Sequence, residues 1–502
     1  MPITRTVLEV AEHDPDQPAI VGVDGQLTYA QLVEDSRRVF AVVDSLHRSQ
    51  HSPPAPVTET GGIPITAASI ASAFHTSRII AGLAGYRAVS AAIDPRWPLE
   101  HQVGSILAVG IGLVISDSTD LARSLAERGW TGTILPLADF MRREARAAPA
   151  PGPTVRDGEE PFLLLFSSGT TSNPKAFLKT RHQYRENFAV SSAYLEPLPG
   201  RATLAPGPVS YSLTLYALIE CLASGGSAHL ADVFDPLGLA GRIHDEAITR
   251  VVAVPAVVQS LVDAARRAPE RFTTLQLVVT GGANLPAVLR TGLHEVLPRV
   301  RLISYYGAAE IGFIGDSRGG DGTRISLYDG IAASIRDDNG AEAPAGEPGT
   351  VWIRAAACSD GYISGTTDAV LKGPDGWATV HDQGRLVDGA LVLAGRAGDI
   401  AVTGGHKVAL PDVERAFAGM SHLGAICAVA LPHERLGSVV ALVIEGEAPE
   451  KNELLARART QLAPQFVPRR WYRVQRLPRT VGGKIRRAAT AELVVRGEAV
   501  RL

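Results

Sequence analysis

FLLLFSSGTTSNPKAFLKT, residues 162–180, is the stretch on which the reading of this chain turns. The apolar run from Phe162 to Phe166 has the length and character of a buried strand. It ends in Ser167, Ser168, Gly169, Thr170 and Thr171, followed by Asn173, Pro174 and Lys175. Small hydroxyl residues around a glycine let backbone N–H and side-chain O–H groups surround an anion, and a lysine adds positive charge. The pattern is not G-x-x-x-x-G-K-[ST], because the glycine count and the lysine position differ. Taken alone, the stretch reads equally as an anion loop or as an ordinary polar loop after a strand.

Outward from this stretch, apolar runs alternate with amphipathic segments: ILPLADF (134–140), SAHLADVF (227–234), VVAVPAVVQSLV (251–262) and LQLVVTGG (275–282). Upstream, AIVGVDGQLTY (19–29) is strand-like, Tyr29 to Leu46 has helical spacing, and Gly112 to Ser116 reads as a buried strand. The Asp94-Pro95 pair marks a turn before a helix opened by Pro98. This alternation predicts an α/β architecture with largely parallel sheets. From Arg324 to Gly395 the strands shorten and Gly, Pro and Asp separate them, predicting a β-rich segment with hairpins. Beyond Arg396 a βα pattern returns, with a helix over Leu410 to Ala418 and strands in ICAVALP (426–432) and VVALVIEGE (439–447). The boundary falls near Gly395 to Asp399, giving domains of residues 1–395 and 396–502.

With 502 residues, 45% hydrophobic, and a net charge of −3, the chain has ample core. It lacks the basic excess of a dedicated nucleic-acid binder. Cys221, Cys358 and Cys427 are far apart and without metal-site spacing, so they are expected as small buried hydrophobes in a reduced, cytoplasmic setting. The first seventeen residues carry charges and no apolar h-region of a secretory signal, and ILAVGIGLVI (106–115) is too short to span a membrane. Only six of the 49 basic residues are lysines: Lys175, Lys179, Lys372, Lys407, Lys451 and Lys484. Arginine-favouring codons account for the bias, and the scarcity marks which ammonium groups to inspect.

Four further stretches complete the pattern. They are YYGAAE (305–310), WATVHDQG (377–384), GRAGDIAVTGGHKV (395–408) and PRTVGGKIRR (478–487). In this order and spacing, together with LTYAQL (27–32) and the 81–107 stretch, nearly the whole chain resembles the adenylate-forming superfamily. That group comprises acyl-CoA synthetases, carrier-protein adenylation domains and luciferases. The resemblance implies a large N-terminal domain of two α/β subdomains plus a β-rich subdomain, and a small mobile α+β C-terminal domain. It also implies a reaction in which a carboxylate attacks the α-phosphorus of ATP, releasing pyrophosphate and leaving an acyl-adenylate. Two anions must then be brought together, so cations and N–H donors are needed around the phosphates.

By the same resemblance, the 167–175 loop with Thr170, Thr171 and Lys175 holds the β- and γ-phosphates. Glu310 is the Mg²⁺ carboxylate, a hard oxygen ligand suited to that ion. Tyr306 stacks on adenine beside Gly281, Gly282 and Ala283. Asp382 binds both ribose hydroxyls, and Arg396 accompanies it at the junction. Lys484 bridges the attacking carboxylate and the α-phosphate, a task suited to a point charge on a flexible stem. Tyr211, Leu215, Gly281 and Tyr305 are expected to line a pocket for an aryl or medium-chain acid. No arginine or lysine stands in those pocket segments.

The departures carry information too. Ala309 stands where threonine usually precedes the glutamate, Ala176 where glycine usually follows Lys175, and His381 where glycine usually precedes the aspartate. Gly398 occupies the hinge, where an acidic residue or lysine is usual, and gives that backbone more freedom. His182 follows the phosphate loop at a position often histidine and is expected either to support the loop or to cap a helix. The expected function is an ATP-dependent acid ligase with CoA as acceptor, a role with which the Gly404-Gly405 pair agrees. The alternatives are an amide bond synthetase, in which an amine attacks the adenylate, and loading of a carrier protein. A non-catalytic binder is the remaining class, and Lys175, Glu310, Asp382, Arg396 and Lys484 together weigh against it.

Overall fold

The structure, a computed structural model, describes residues 3–167, 175–283, 285–337, 339–403, 406–420, 422–433, 436–462, 466–480 and 483–502. The side chains at 396, 397, 400, 402, 406, 407 and 437 also lie outside the description. Three sheets organise the described residues. In the first, strands Thr133–Leu135, Leu113–Ile115, Ile65–Ala68, Val89–Ala92 and Pro161–Phe166 run parallel, and Ala176–Thr180 closes the edge antiparallel. The loop after Phe166 therefore closes a hairpin. Phe166 pairs with Ala176, and the Ser167 N–H donates to the Lys175 carbonyl at 2.8 Å. A P-loop would instead run into a helix.

The second sheet has thirteen strands. Its parallel part runs from Pro18–Val21 through Ser227–Leu230, Ala202–Ala205, Arg250–Ala253 and Leu277–Thr280 to Arg301–Ala308. From Arg301–Ala308 it continues antiparallel through Gly312–Ser317, Arg324–Leu327 and Ala390–Arg396 to Ala332–Arg336. The β-rich stretch is thus hydrogen-bonded onto the α/β part along one strand path. Between the two sheets lies helix Ser212–Ser224, whose residues Thr214 to Ala223 are all buried. It is apolar around most of its circumference, as a helix packed on several sides must be. One core cluster joins Phe162 and Phe177 of the first sheet to Val279, Ile303 and Phe313 of the second through Tyr184, Leu215 and Tyr216.

The third sheet holds His406–Ala409, Ile400–Thr403, Gly437–Glu445, Arg470–Val474 and Val500–Arg501, with Ile426–His433 paired to Gly437–Glu445. Sheet membership changes between Arg396 and Ile400, across a short 3₁₀ turn at Ala397–Asp399. Arg487 ties this turn to the third sheet by donating to Asp399 at 2.6 Å, and it also pairs with Glu414.

Several readings of local sequence change. ILPLADF is a strand only to Leu135, and a helix, Leu137–Glu144, follows Pro136. VVAVPAVVQSLV breaks at Val254, and Pro255 opens the helix Pro255–Arg267, where its missing N–H costs nothing. The helix from Leu410 ends at Arg415 rather than Ala418. The three cysteines are buried and free, as expected. Among the described residues, no helix is long and apolar enough to cross a membrane.

Candidate active site

The site is built where the parallel strands of the second sheet end. Thr280 pairs with Ser304, so Gly281, Gly282 and Ala283 leave their strand beside Tyr305 and Tyr306. Gly281 is glycine for a steric reason: a Cβ there would lie 2.4–2.8 Å from the Tyr305 ring carbons. The same ring meets Phe313 edge-on, centroids 4.9 Å apart. Gly282 has φ +78°, in the left-handed region that favours glycine, and the Lys484 Nζ lies 3.7 Å from where its Cβ would be. Lys484 reaches that point from a small hairpin: Arg479 bridges Ile485, and the Thr480 N–H donates to the Lys484 carbonyl at 2.7 Å.

On the other side of Tyr305, the Tyr306 hydroxyl donates to Asp382 Oδ2 at 2.7 Å. The expected adenine and ribose residues are therefore in direct contact. Asp382 opens a strand opposite Arg396, and the side chain of Arg396 lies outside the described residues. His381 has φ +63°, so an imidazole-bearing residue occupies a conformation that glycine adopts without strain.

Glu310 follows the end of the Arg301–Ala308 strand and is 6% exposed. Its carboxylate accepts from the Tyr362 hydroxyl at 2.9 Å, and the Lys175 Nζ stands 5.2 Å from the centre of the same tyrosine ring. Its carbonyl accepts from the Ser359 N–H at 2.8 Å and from the Lys179 ammonium at 2.7 Å. Ala309, in the place usually held by threonine, contributes its carbonyl to the Tyr216 hydroxyl at 3.3 Å. Leu215 is fully buried in the helix that Tyr211 immediately precedes.

The structure thus brings Ser167, Lys175, Gly281, Gly282, Tyr305, Tyr306, Glu310, Asp382 and Lys484 into connected segments. Ser168, Gly169, Thr170 and Thr171 lie outside the described residues, as do Gly404 and Gly405. His182 does not cap the following helix. Thr180 does, through a reciprocal box with Gln183, because the helix begins at Arg181. His182 is the second residue of that helix, its N–H bonded to the Gly158 carbonyl at 2.7 Å.

Three residues to which the sequence motifs give no role belong to this neighbourhood. Lys179, one of the six lysines but outside every motif role, is 1% exposed and donates to two carbonyls, those of Glu310 and Ala357 (2.6 Å). Burial pushes its ammonium down to about 8, while Cys358, Glu310 and Asp360 pull the other way. Tyr362 carries no motif and lies far from Glu310 in sequence. Arg96 grips buried Asp94 through two bonds, 2.8 and 2.7 Å, and Ser210 donates to the same carboxylate at 3.2 Å. An arginine therefore stands beside the segment that carries Tyr211, in the Asp94-Pro95 turn rather than in the pocket segments themselves.

A family model described as AMP-binding enzyme matches residues 77–363, and one described as AMP-binding enzyme C-terminal domain matches residues 412–484. An uncharacterised acyl–CoA ligase of Bacillus subtilis, YhfT, is 27% identical over 494 residues, covering 97% of each chain. ATP-bound MatB from Rhodopseudomonas palustris superposes with a TM-score of 0.85 at 20% identity over 98% of both chains. Apo MatB, over the same share of each chain, reaches 0.76. Amide bond synthetase McbA from Marinactinospora thermotolerans gives 0.83 at 23% identity, again over 98% of both.

Proposed function

The chain belongs to the AMP-binding enzyme family and is an AMP-forming ligase, and from that premise we propose that it activates an aryl or medium-chain carboxylic acid as the acyl-adenylate and passes the acyl group to CoA. The observation that carries the reading is the position of Lys484 against Gly282, next to Tyr305 and the Tyr306–Asp382 pair. An ammonium there can neutralise the acid's carboxylate and the α-phosphate together, which favours attack of one anion on the other. A carboxylate oxygen bonds to the α-phosphorus as the bond to the bridging oxygen breaks, and pyrophosphate leaves.

In this reading Tyr306 packs on adenine while its hydroxyl orients Asp382 toward the ribose. Lys175 and the 167–171 loop take the outer phosphates. The buried Glu310 carboxylate, an oxygen donor beside Lys175, has the chemistry to meet Mg²⁺, which would neutralise phosphate charge. Residues 1–395 and 396–502 form the two working bodies, with Gly398 in the turn between them. A Cβ at Gly398 would meet nothing within 4 Å, so that turn is sterically open. CoA is the preferred acceptor because the relative matched along 97% of its length is an acyl–CoA ligase.

Acid-dependent ATP–pyrophosphate exchange over a panel of aryl and C4–C12 acids tests the first step. Exchange with at least one acid is expected, and ATP binding without any exchange would return the chain to the binder class. Incubating the best acid and ATP with CoA or with an amine, then weighing the product, tests the acceptor. A thioester is expected, and an amide formed without CoA would replace this reading with amide synthesis.

A further inference from the structure

Lys179 presents an energetic problem that the proposed chemistry leaves open. Its ammonium is buried, and the acceptors it reaches are two neutral carbonyls. Burying an ammonium carries a desolvation cost, and a methionine of similar length would fill the space without it. What the charge provides is a strong hold on particular main-chain atoms, since hydrogen bonds from an ionised donor are roughly twice as strong as neutral ones.

The held atoms belong to functional segments. The strand Ala176–Thr180 follows directly on Lys175 and is fixed along both edges. It pairs with Pro161–Phe166 on one side. On the other, Phe177 bridges Tyr362 and the Ile363 N–H donates to the Ala176 carbonyl at 2.8 Å. Glu310 is gripped twice from this strand's surroundings, at its carbonyl by Lys179 and at its carboxylate by Tyr362. Ser359, whose N–H shares the Glu310 carbonyl, is itself bonded to the Leu178 carbonyl of the strand at 2.7 Å.

We propose that Lys179 is a positioning residue that fixes the Glu310 carboxylate relative to Lys175, so that the cation and the acid meet one polyphosphate at a set spacing. The inference rests on the reading of Glu310 as the carboxylate that meets Mg²⁺ at the phosphates. Displacing a group that orients a metal ligand typically costs ten- to a hundredfold in metal affinity. The loss should therefore appear as weaker coupling between Mg²⁺ and ATP.

The experiment compares the ATP dissociation constant of the full-length protein in EDTA and in Mg²⁺ by calorimetry, for wild type, Lys179→Gln, Lys179→Arg and Glu310→Gln. Glutamine keeps donors for the carbonyls without the charge. Arginine keeps the charge on a longer stem. For Lys179→Gln the EDTA constant should stay within about twofold, while the tightening produced by Mg²⁺ falls about tenfold. For Lys179→Arg the tightening should fall about threefold, which serves as the reading if the glutamine variant does not fold. Wild-type tightening in the folded Lys179 variants, with tightening lost in Glu310→Gln, overturns the positioning role alone. Wild-type tightening in Glu310→Gln overturns the reading of Glu310, and the inference with it.

Discussion

Lys179 and Lys484 both bring an ammonium to the strand ends that make the site, but they are held in contrasting ways. Lys179 sits in a strand paired on both edges and is 1% exposed. Lys484 is exposed, belongs to a hairpin of the third sheet's domain, and connects to the rest of the molecule through the turn at Ala397–Asp399. The contrast extends to net charge. Residues 1–395 hold 32 basic and 42 acidic residues, whereas residues 396–502 hold 17 and 10. Charges of opposite net sign attract, and salt screens the part of such attraction that crosses solvent. A charge needed throughout the reaction can be built into the sheet. A charge needed in one half-reaction is better carried on a part that can withdraw.

The largest effect should come from the exposed lysine. Lys484→Ala is expected to lower acid-dependent pyrophosphate exchange by about 10³-fold, in the range measured for losing a donor that acts in the transition state. Thioester formation from a supplied acyl-adenylate and CoA should fall by less than about threefold, and the melting temperature should not move. Equal losses in both half-reactions would break the contrast, because the lysine would then serve both.

The built-in lysine should show itself in stability against pH. Its folded ammonium titrates near 8 and its unfolded one near 10.5. Between those values the unfolded chain binds more protons, so wild-type stability should rise with pH across the window. Relative to Lys179→Met, which has no such proton, the gain should reach roughly 3 kcal/mol by pH 10.5. Parallel melting curves for the two proteins from pH 7 to 10.5 give the measurement. A constant difference between them would mean that the ammonium is not confined as the geometry has it.

A pair of neighbouring glycines sharpens the contrast further. Gly281 faces a ring locked between neighbours, while Gly282 faces the end of the Lys484 side chain. Gly281→Ala should destabilise by about 1–3 kcal/mol, the usual cost of overpacking, as read from chemical denaturation. In a Tyr305→Ala background the same substitution should cost under about 0.5 kcal/mol. An unchanged cost there would place the strain in the backbone rather than against the ring.

Much of this was legible in the sequence because the chemistry sits in local runs. The 162–180 stretch, the 305–310 stretch and the lysine hairpin each announce themselves by composition, and the turn–helix break at Pro98 by its proline. What escaped depends on pairings distant in the chain. AFLKT carries no local sign that its lysine is buried, since nothing there says that residues 357–363 cover it. Tyr362 reaches Glu310 across 52 positions, and Arg96 becomes a neighbour of the Tyr211 segment only through Asp94 and Ser210. The helix after Pro136 and the one after Val254 were hidden by apolar runs that continue across the strand–helix break, where periodicity alone does not separate the two states.

The smallest expected effect concerns an ion pair between the small C-terminal domain and the large N-terminal one. Arg415, on the helix Leu410–Arg415, lies 3.6 Å from Asp321 of the large body, and both side chains are more than a third or nearly a third exposed. Exposed pairs of this kind are worth about 0.2–1 kcal/mol. A bias of that size shifts a two-state population by roughly 1.4- to fivefold. Arg415→Gln should therefore slow pyrophosphate exchange by at most about fivefold at low salt, without loss of ATP affinity. The difference from wild type should vanish near 0.5 M salt, where the pair is already screened. A salt-independent defect would show that Arg415 acts through its bond to Asp412 within its own helix, not across the cleft. The contact there would then rest on packing, such as that of the helix Leu410–Arg415 against the strand Ala390–Arg396.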